Sequence, residues 1–576
     1  MSLTLTPLTP QPLAIGSPCQ CCSPAWSSVY NVKDYGAVGD GAHDDTTAFQ
    51  SAIAAAQATS GVVYVPSGAY KLTSQLVVEG CTILGPGVEP FTNAVQPMQI
   101  AGAVLQIRDT VNPAISLRPG GSLDSLVFYY PDQTTGASPT VYPETVQCHT
   151  DLPTYSTAQG QLASIQRCRF INSYFAINTN GSSSTSSPFI RIQDNDICAI
   201  SMGIKHPFSL IETMIAHNRF TLAFWAPAPS FPIRATISAN AIAIQLGNGT
   251  DHVDGTTIND NSFFGFNKAI YFAGNATLTT ISGNTIDGCC YGVDFTGVGS
   301  QTGEVAVTGG IIDALDPWTP TRRGYAIGAA WASGVGSSQI AISGVTFGQG
   351  HGDIINFSGA SANASIIVDG CEIGSARSND TTTVSYGVNV NGSGLIVGVN
   401  NCTFKDEVNQ ASGKMIGVST AALLATITGN RFRWMDKSVD VSGTLAGRSV
   451  TVIGNTALFT NTQDLYYSSA IGRFSIANNR WSKGQGGAAE ATSIASAATI
   501  TLPDSDDAIA VTGTTNITSI SASWFGRQVV LRFGGVLTVT DGSNLALAGN
   551  LTTALNTVLC LYCDGTSWYE TSRSLN

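Results

Sequence analysis

Charge is what this chain has least of. Of 576 residues, 26 are Lys or Arg and 38 are Asp or Glu, so 11% are charged, against about 25% in an ordinary soluble domain. Hydrophobic residues make up 43%, so this is not the deficit of a disordered polar chain. Scarce basic residues and a net charge of −12 exclude nucleic acid and anionic membrane surfaces as partners. No apolar run approaches about 18 residues, which excludes membrane insertion through a helix. The N-terminal MSLTLTPLTPQPLA lacks the basic and apolar regions of a secretory signal, and assembly in the cytoplasm is expected. Thirteen cysteines are spread over the whole chain, which predicts reduced, buried thiols rather than a disulfide framework. Cys19, Cys21 and Cys22 have no second Cys or His pair at zinc-site spacing. Neither a metal nor another cofactor is expected.

What is abundant is turn and strand chemistry. Gly alone accounts for 61 residues, and one pattern, apolar–x–x–Asn–x–apolar, recurs through the middle of the chain. Its fourth position is Cys168, Asn195, Asn218, Asn240, Asn261, Asn284, Gly310, Val345, Cys371, Cys402, Asn430, Asn455 and Asn479. Earlier copies, VEGCTI at 78–83 and LDSLVF at 123–128, extend the register. A period near 25 with short β-branched runs predicts one coil of a parallel β-solenoid per repeat, because no coil can bury its apolar face alone. Crossovers between parallel strands should wind right-handed. Asparagines at one turn position should stack, each amide bonding the next, with Cys substituting where a small buried residue suffices. Coils about 4.8 Å apart give a rod of roughly 60 Å. The expected fold is all-β: a right-handed parallel β-helix of about 13–15 coils with a C-terminal β-sandwich.

The ends differ from the middle. Residues 1–28 are Pro-rich and non-periodic. In residues 29–77, Asp44 or Asp45 can cap a helix whose Phe49, Ile53 and Ala56 share one face, closing the open end of the solenoid. Residues 78–485 form the solenoid, and SKGQGGAAEATS at 482–493 reads as a hinge. Residues 494–576 alternate in short strands, the pattern of a small sandwich.

The string NVKDYGAVGDGAHDDTTAFQSAI, then GVVYVPSGAYKL and the solenoid, resembles the pectate-lyase-like superfamily and, more narrowly, bacteriophage tailspike depolymerases. DSLVFYYPDQ at 124–133 and TALNTVLCLYCDGTSWYETSRS near the C-terminus are similar to tailspike sequence. The resemblance implies a homotrimer of right-handed β-helices in the virion tail, joined to the phage tail or baseplate by its N-terminus. It also implies binding, and usually cleavage, of a host capsular polysaccharide or lipopolysaccharide O-antigen. Residues 1–28 are short for a head-binding domain.

For the chemistry, Asp40, Asp44 and Asp45 are read as turn and cap carboxylates, and Asp251, His252 and Asp254 as a turn rather than a metal site. The longest coil spacing follows Gly310 and inserts DALDPWTPTRRGYAIGAAW; insertions after Cys371 and Cys402 should join it in a wall on one face. Trp318 offers an apolar sugar-binding face, and Arg322 and Arg323 a planar fork of donors. Counting three residues from the ladder position puts Asp287 and Asp313 in one column on adjacent coils, with Asp316 on the inserted loop. Like charges that close raise one carboxyl pKa, supplying the acid and the base of a glycoside hydrolase. Asp287, Asp313 and Asp316 are therefore the expected catalytic residues. Trp318, Arg322, Arg323, Glu372 and Asp353 are expected at the sugar, and Glu304, Asp353, Glu372 and Glu407 stand as reserve carboxylates. The same column continues as Lys405 and Arg433, with Arg431 nearby, which keeps a uronate lyase in play. A binding-only tail adhesin would use the same residue types.

Overall fold

The computed structural model describes residues 28–87, 101–133, 138–148, 163–179, 189–209, 212–222, 239–249, 252–297, 303–314, 324–331, 338–348, 352–359, 362–374, 384–406, 415–441, 448–460, 462–467, 473–482, 492–503 and 507–575. Residues 1–27, with Cys19, Cys21 and Cys22, lie outside them.

Sixteen parallel strands, from Val29–Asn31 to Arg473–Ala477, stack into one sheet. The two further strands of each coil stack in the same way, Thr285–Asp287 on Ile311–Asp313 and Tyr291–Asp294 on Tyr325–Ala330. The chain is a right-handed parallel β-helix. Strands such as Thr256–Asn259, Thr279–Ser282 and Ser449–Ile453 alternate inward residues with outward ones, so the interior is built of columns one strand spacing apart. Phe220 stacks on Phe263 with centroids 4.9 Å apart, and Phe404 on Phe432 at 4.8 Å. The ten described cysteines are free thiols, nine of them buried. No helix is long and apolar enough to cross a membrane among the described residues.

The asparagine ladder runs through this core. Asn218 Oδ1 accepts from the Asn195 backbone N–H at 3.0 Å and from its Nδ2 at 2.9 Å, while Asn218 Nδ2 donates to the Ile192 carbonyl at 2.8 Å. The same exchange links Asn261 to Asn284, Asn430 to Asn455, and Asn455 to Asn479. Cys168 and Cys402 end two runs, their N–H groups donating to Asn195 and Asn430 at 2.9 Å.

One expected rung is wrong. Asn218 bonds directly to Asn261, 43 residues on, and Asn240 is exposed outside the ladder. ISANAI at 237–242 is not a coil of its own, because Thr213–Ala216 pairs with Thr256–Asn259 and Arg219–Thr221 with Ser262–Phe264. Its Ile242 opens Ile242–Leu246, the third strand of a single long coil. The longest insertion therefore follows Asn218, not Gly310.

The helix Thr46–Gln57 covers the first coils with Phe49, Ile53 and Ala56 buried. All three acidic residues ahead of it are used locally. Asp40 accepts from the Ala42 and His43 N–H groups, Asp44 caps Thr46, and buried Asp45 holds the Val38 and Gly39 N–H groups. Beyond the solenoid, a six-stranded sheet and two two-stranded ribbons enclose a separate core containing Phe533, Leu561 and Trp568. That sheet is mixed. Thr492–Ala495, Ala508–Thr512 and Gln528–Phe533 pair parallel, and Gln528–Phe533, Val558–Cys563 and Trp568–Ser574 antiparallel.

Candidate active site

The column of outward residues beyond each ladder turn carries the acidic pair. Asp287 and Asp313 are direct register partners, and Phe264 precedes Asp287 in the same column. Ile286 and Ile312 between them point inward, so alternation forces both carboxylates to the outer face. Asp287 is exposed and Asp313 half-buried. Asp313 Oδ1 is buried without a hydrogen-bond partner among the described residues. Its pKa is pushed up to about 6, first by burial and second by the charge of Asp287. Desolvation leads that shift, rather than the like-charge repulsion expected from the column.

Downstream the column loses its side chains. Gly348 follows Asp313, its N–H donating to the Ile312 carbonyl at 3.0 Å, and a Cβ there would sit 3.4 Å from Asp313 Cγ. Gly374 comes next, and then Lys405, Arg433 and Leu458. The two glycines leave a trough between an acidic end and a basic end, about 14 Å from Asp313 to Lys405 at one strand spacing per coil.

A second face adjoins the trough across the turn Gly288–Cys289–Cys290, and sequence reasoning missed it. Lys268 Nζ lies 2.6 Å from Oδ2 of buried Asp294 and 3.6 Å from the Tyr271 ring centroid. Tyr325 donates to Asp294 Oδ1 at 2.5 Å, and burial with the Asp294 charge holds its phenol far above the usual range. Tyr325 also meets Tyr291 edge-on at 4.9 Å. Asp353 lies opposite Tyr325 and accepts from the Tyr386 N–H at 3.2 Å. Lys268, Tyr291, buried Tyr325, Asp353 and Tyr386 follow one another along one row, and the half-buried Tyr291 and Tyr386 rings are amphipathic groups of the kind that meet sugar faces. No single spacing announced it, since Tyr291 is 4 residues past Asp287 while Tyr325 and Tyr386 are each 12 past Asp313 and Gly374.

Other expected residues are dispersed. Glu372 is exposed, opposite Thr346 and Thr403, in the neighbouring row of the acid-bearing face. Glu304 is on the sixteen-stranded sheet, opposite Gln339, and so does not stand beside the pair. Counting along the sequence placed it close, but the ladder turn intervenes. Asp316, Trp318, Arg322, Arg323 and Glu407 lie outside the described residues, as does Asp251. No group of three or more His, Cys, Asp or Glu is gathered for a metal among the described residues.

Residues 29–115 match the family described as rhamnogalacturonase A/epimerase, pectate lyase-like. Mannuronan C5-epimerase AlgE1 of Azotobacter vinelandii is 48% identical over 61 residues, covering 10% of this chain and 4% of that protein. This chain thus spans a small fraction of that relative. Among solved structures, pre-mature bacteriophage phi29 gene product 12 is 13% identical with a TM-score of 0.47, over 86% of this chain and 62% of that one. Dettilon tailspike protein is 12% identical with a TM-score of 0.34, over 77% and 69%. Through residues 29–115, and with a parallel β-helix behind them, the start of this chain is pectate-lyase-like.

Proposed function

We propose that this protein is a phage tailspike that binds a host bacterial surface polysaccharide and depolymerises it by glycosidic hydrolysis. The observation that carries the reading is the Asp287–Asp313 pair, one member exposed and the other keeping its proton to about pH 6. Asp313 donates a proton to the leaving glycosidic oxygen, and Asp287 is the carboxylate that attacks or steadies the anomeric carbon. Asp316, Trp318, Arg322 and Arg323 belong to the same reading, in the segment that follows Asp313 in sequence. Asp353, with the neighbouring tyrosines, and Glu372 contribute sugar contacts. Column neighbours about 4.8 Å apart are nearer the 5–5.5 Å of retaining enzymes than the 6.5–9.5 Å of inverting ones. Cleavage of a competent capsule or O-antigen should therefore release reducing ends with retained anomeric configuration, read by proton NMR. New ultraviolet-absorbing unsaturated uronate ends would establish a lyase instead. That second reading has its own support in Lys405 and Arg433, register partners in the same column. Binding without any new ends would leave an adhesin.

Attachment to the virion tail through residues 1–28 and a homotrimeric state complete the proposal. The trimer is supported by the outer face of the sixteen-stranded sheet, where, beyond exposed Glu304 and Gln339, Ile367, Ile396 and Leu424 are exposed among Thr, Ser, Ala and Gly, and Leu278 stands at the sheet's margin. Three copies facing one another would bury these side chains. Light scattering should give three times the 59.8 kDa chain mass, and Ile367→Glu should shift the protein towards monomer. A monodisperse wild-type monomer would overturn the trimer.

A further inference from the structure

Two turns at the basic end of the trough are built at a conformational disadvantage. In the upstream coils, the residue just after the column position is Gly265 (φ 85°) and then Gly288 (φ 64°). A left-handed backbone suits glycine, which has no Cβ to clash, and at Ala314 and Asp406, in the same place on intervening coils, the backbone is not left-handed. Two coils downstream hold the same place with bulky aromatics, Trp434 (φ 60°) after Arg433 and Phe459 (φ 60°) after Leu458. For large side chains this conformation is strained. Core packing does not repay it, since Phe459 is 61% exposed and Trp434 only half-buried. Strain kept for the display of side chains points to a binding role.

The rings are also arranged. Trp434 and Phe459 stack at 6.2 Å with planes 22° apart, and the Arg433 guanidinium lies 3.8 Å from the Trp434 ring centroid. A guanidinium stacked by its face keeps its in-plane N–H donors for a planar oxyanion. Arg431, exposed on the same strand, adds a second cation on the outer side. In a chain of net charge −12 with 26 basic residues, two arginines beside an exposed aromatic pair form a local exception to the prevailing sign.

We infer that Arg431, Arg433, Trp434 and Phe459 form a subsite for an acidic sugar unit, its carboxylate held by the arginines and its C–H face lying on the aromatic shelf. The subsite lies four strand spacings, about 19 Å, from Asp313 along the column, beyond the glycine floor. A polysaccharide in the trough would then lie along the rod axis, anchored by a charged residue several units from the bond that breaks. This inference rests on the polysaccharide reading and narrows it to chains carrying carboxylated sugars.

The probe is a panel of purified capsular polysaccharides and O-antigens, each tested native and after chemical reduction of its carboxyl groups to alcohols. Wild-type protein should bind an acidic member and lose at least tenfold affinity for its carboxyl-reduced form. Arg433→Gln, Trp434→Gly and Phe459→Gly should each weaken binding of the native polymer at least tenfold. The two glycine variants should melt at or above the wild-type temperature, because glycine relieves the turn. Variants that bind like wild type, a ligand indifferent to carboxyl reduction, or glycine variants that melt well below wild type would each overturn the subsite alone. Failure of wild-type protein to bind any member would overturn the polysaccharide reading, and this inference with it.

Discussion

An Asp313→Asn variant is expected to lose about 10²- to 10⁴-fold in cleavage rate, the range a positioned general acid supplies, while keeping its fold. Asp313 is half-buried and its Oδ1 has no hydrogen-bond partner among the described residues, so an amide there removes no bond the protein uses. The pH dependence follows from the same burial. In the unfolded chain the carboxyl titrates near 3.8, and folding pushes it up to about 6. The folded state therefore holds this proton more tightly. Its contribution to stability is full below about pH 4 and declines as pH rises through about 6, where the ion becomes desolvated without a partner. Asparagine cannot ionise, so the variant should match wild type in melting at pH 4 and exceed it at pH 8. Activity has the matching sign: wild-type kcat/KM should fall about tenfold per pH unit above 6 as the acid is lost. Asp287→Asn should abolish turnover comparably. Melting curves at the two pH values, set beside rates on a competent polysaccharide, separate catalysis from fold support. Full activity in both variants would move the chemistry to other carboxylates, with Asp353 and Glu372 the next to test.

That pair was legible because counting from a ladder position survives coils of different length. Asp287 and Asp313 are 26 residues apart yet register partners, since the strand between turn and column is three residues in both. The columns were legible for a related reason: a shared interior selects apolar side chains, most often Ile, Val and Phe, at period two. What escaped depends on connections of variable length. Lys268, Asp294 and Tyr325 meet across three successive coils, and nothing local to any of them marks the others as neighbours. Trp434 and Phe459 escaped for the opposite reason. Local propensity assigns a left-handed turn to Gly or Asn, so bulky aromatics at two such turns contradict the expectation that would have found them. Glu304 shows how sequence proximity misleads, because the two residues of the ladder turn, Gly309 and Gly310, carry the chain onto another face.

The ladder supplies the other large effect and tests where the coils lie. Asn218 is buried, and its side chain completes bonds on three coils: it accepts from the Asn195 N–H and Nδ2, and it donates to the Ile192 carbonyl and Asn261 Oδ1. Asn218→Ala would leave the buried Asn195 N–H without its acceptor and strip the Asn195 side chain, the Ile192 carbonyl and Asn261 Oδ1 of one bond each. At about 1–3 kcal/mol for each unsatisfied group, the loss should be about 3–4 kcal/mol, large for a single substitution. Because each coil contacts only its neighbours, the damage should concentrate locally. Amide exchange should accelerate across residues 190–221 first, with the Asn195 amide among the fastest. Asn240→Ala is the informative contrast. Its sequence context, ISANAI, is as good a repeat as any, but it is exposed and the ladder passes it by. Its removal should shift stability by less than about 0.5 kcal/mol, as for surface positions generally. Equal destabilisation by the two substitutions would mean that residues 237–242 form a coil of their own and that the 43-residue coil is wrong. The contrast has a structural cause. A ladder asparagine is fixed by the amide groups above and below it, and the hexapeptide pattern gains its meaning only where both neighbours are present.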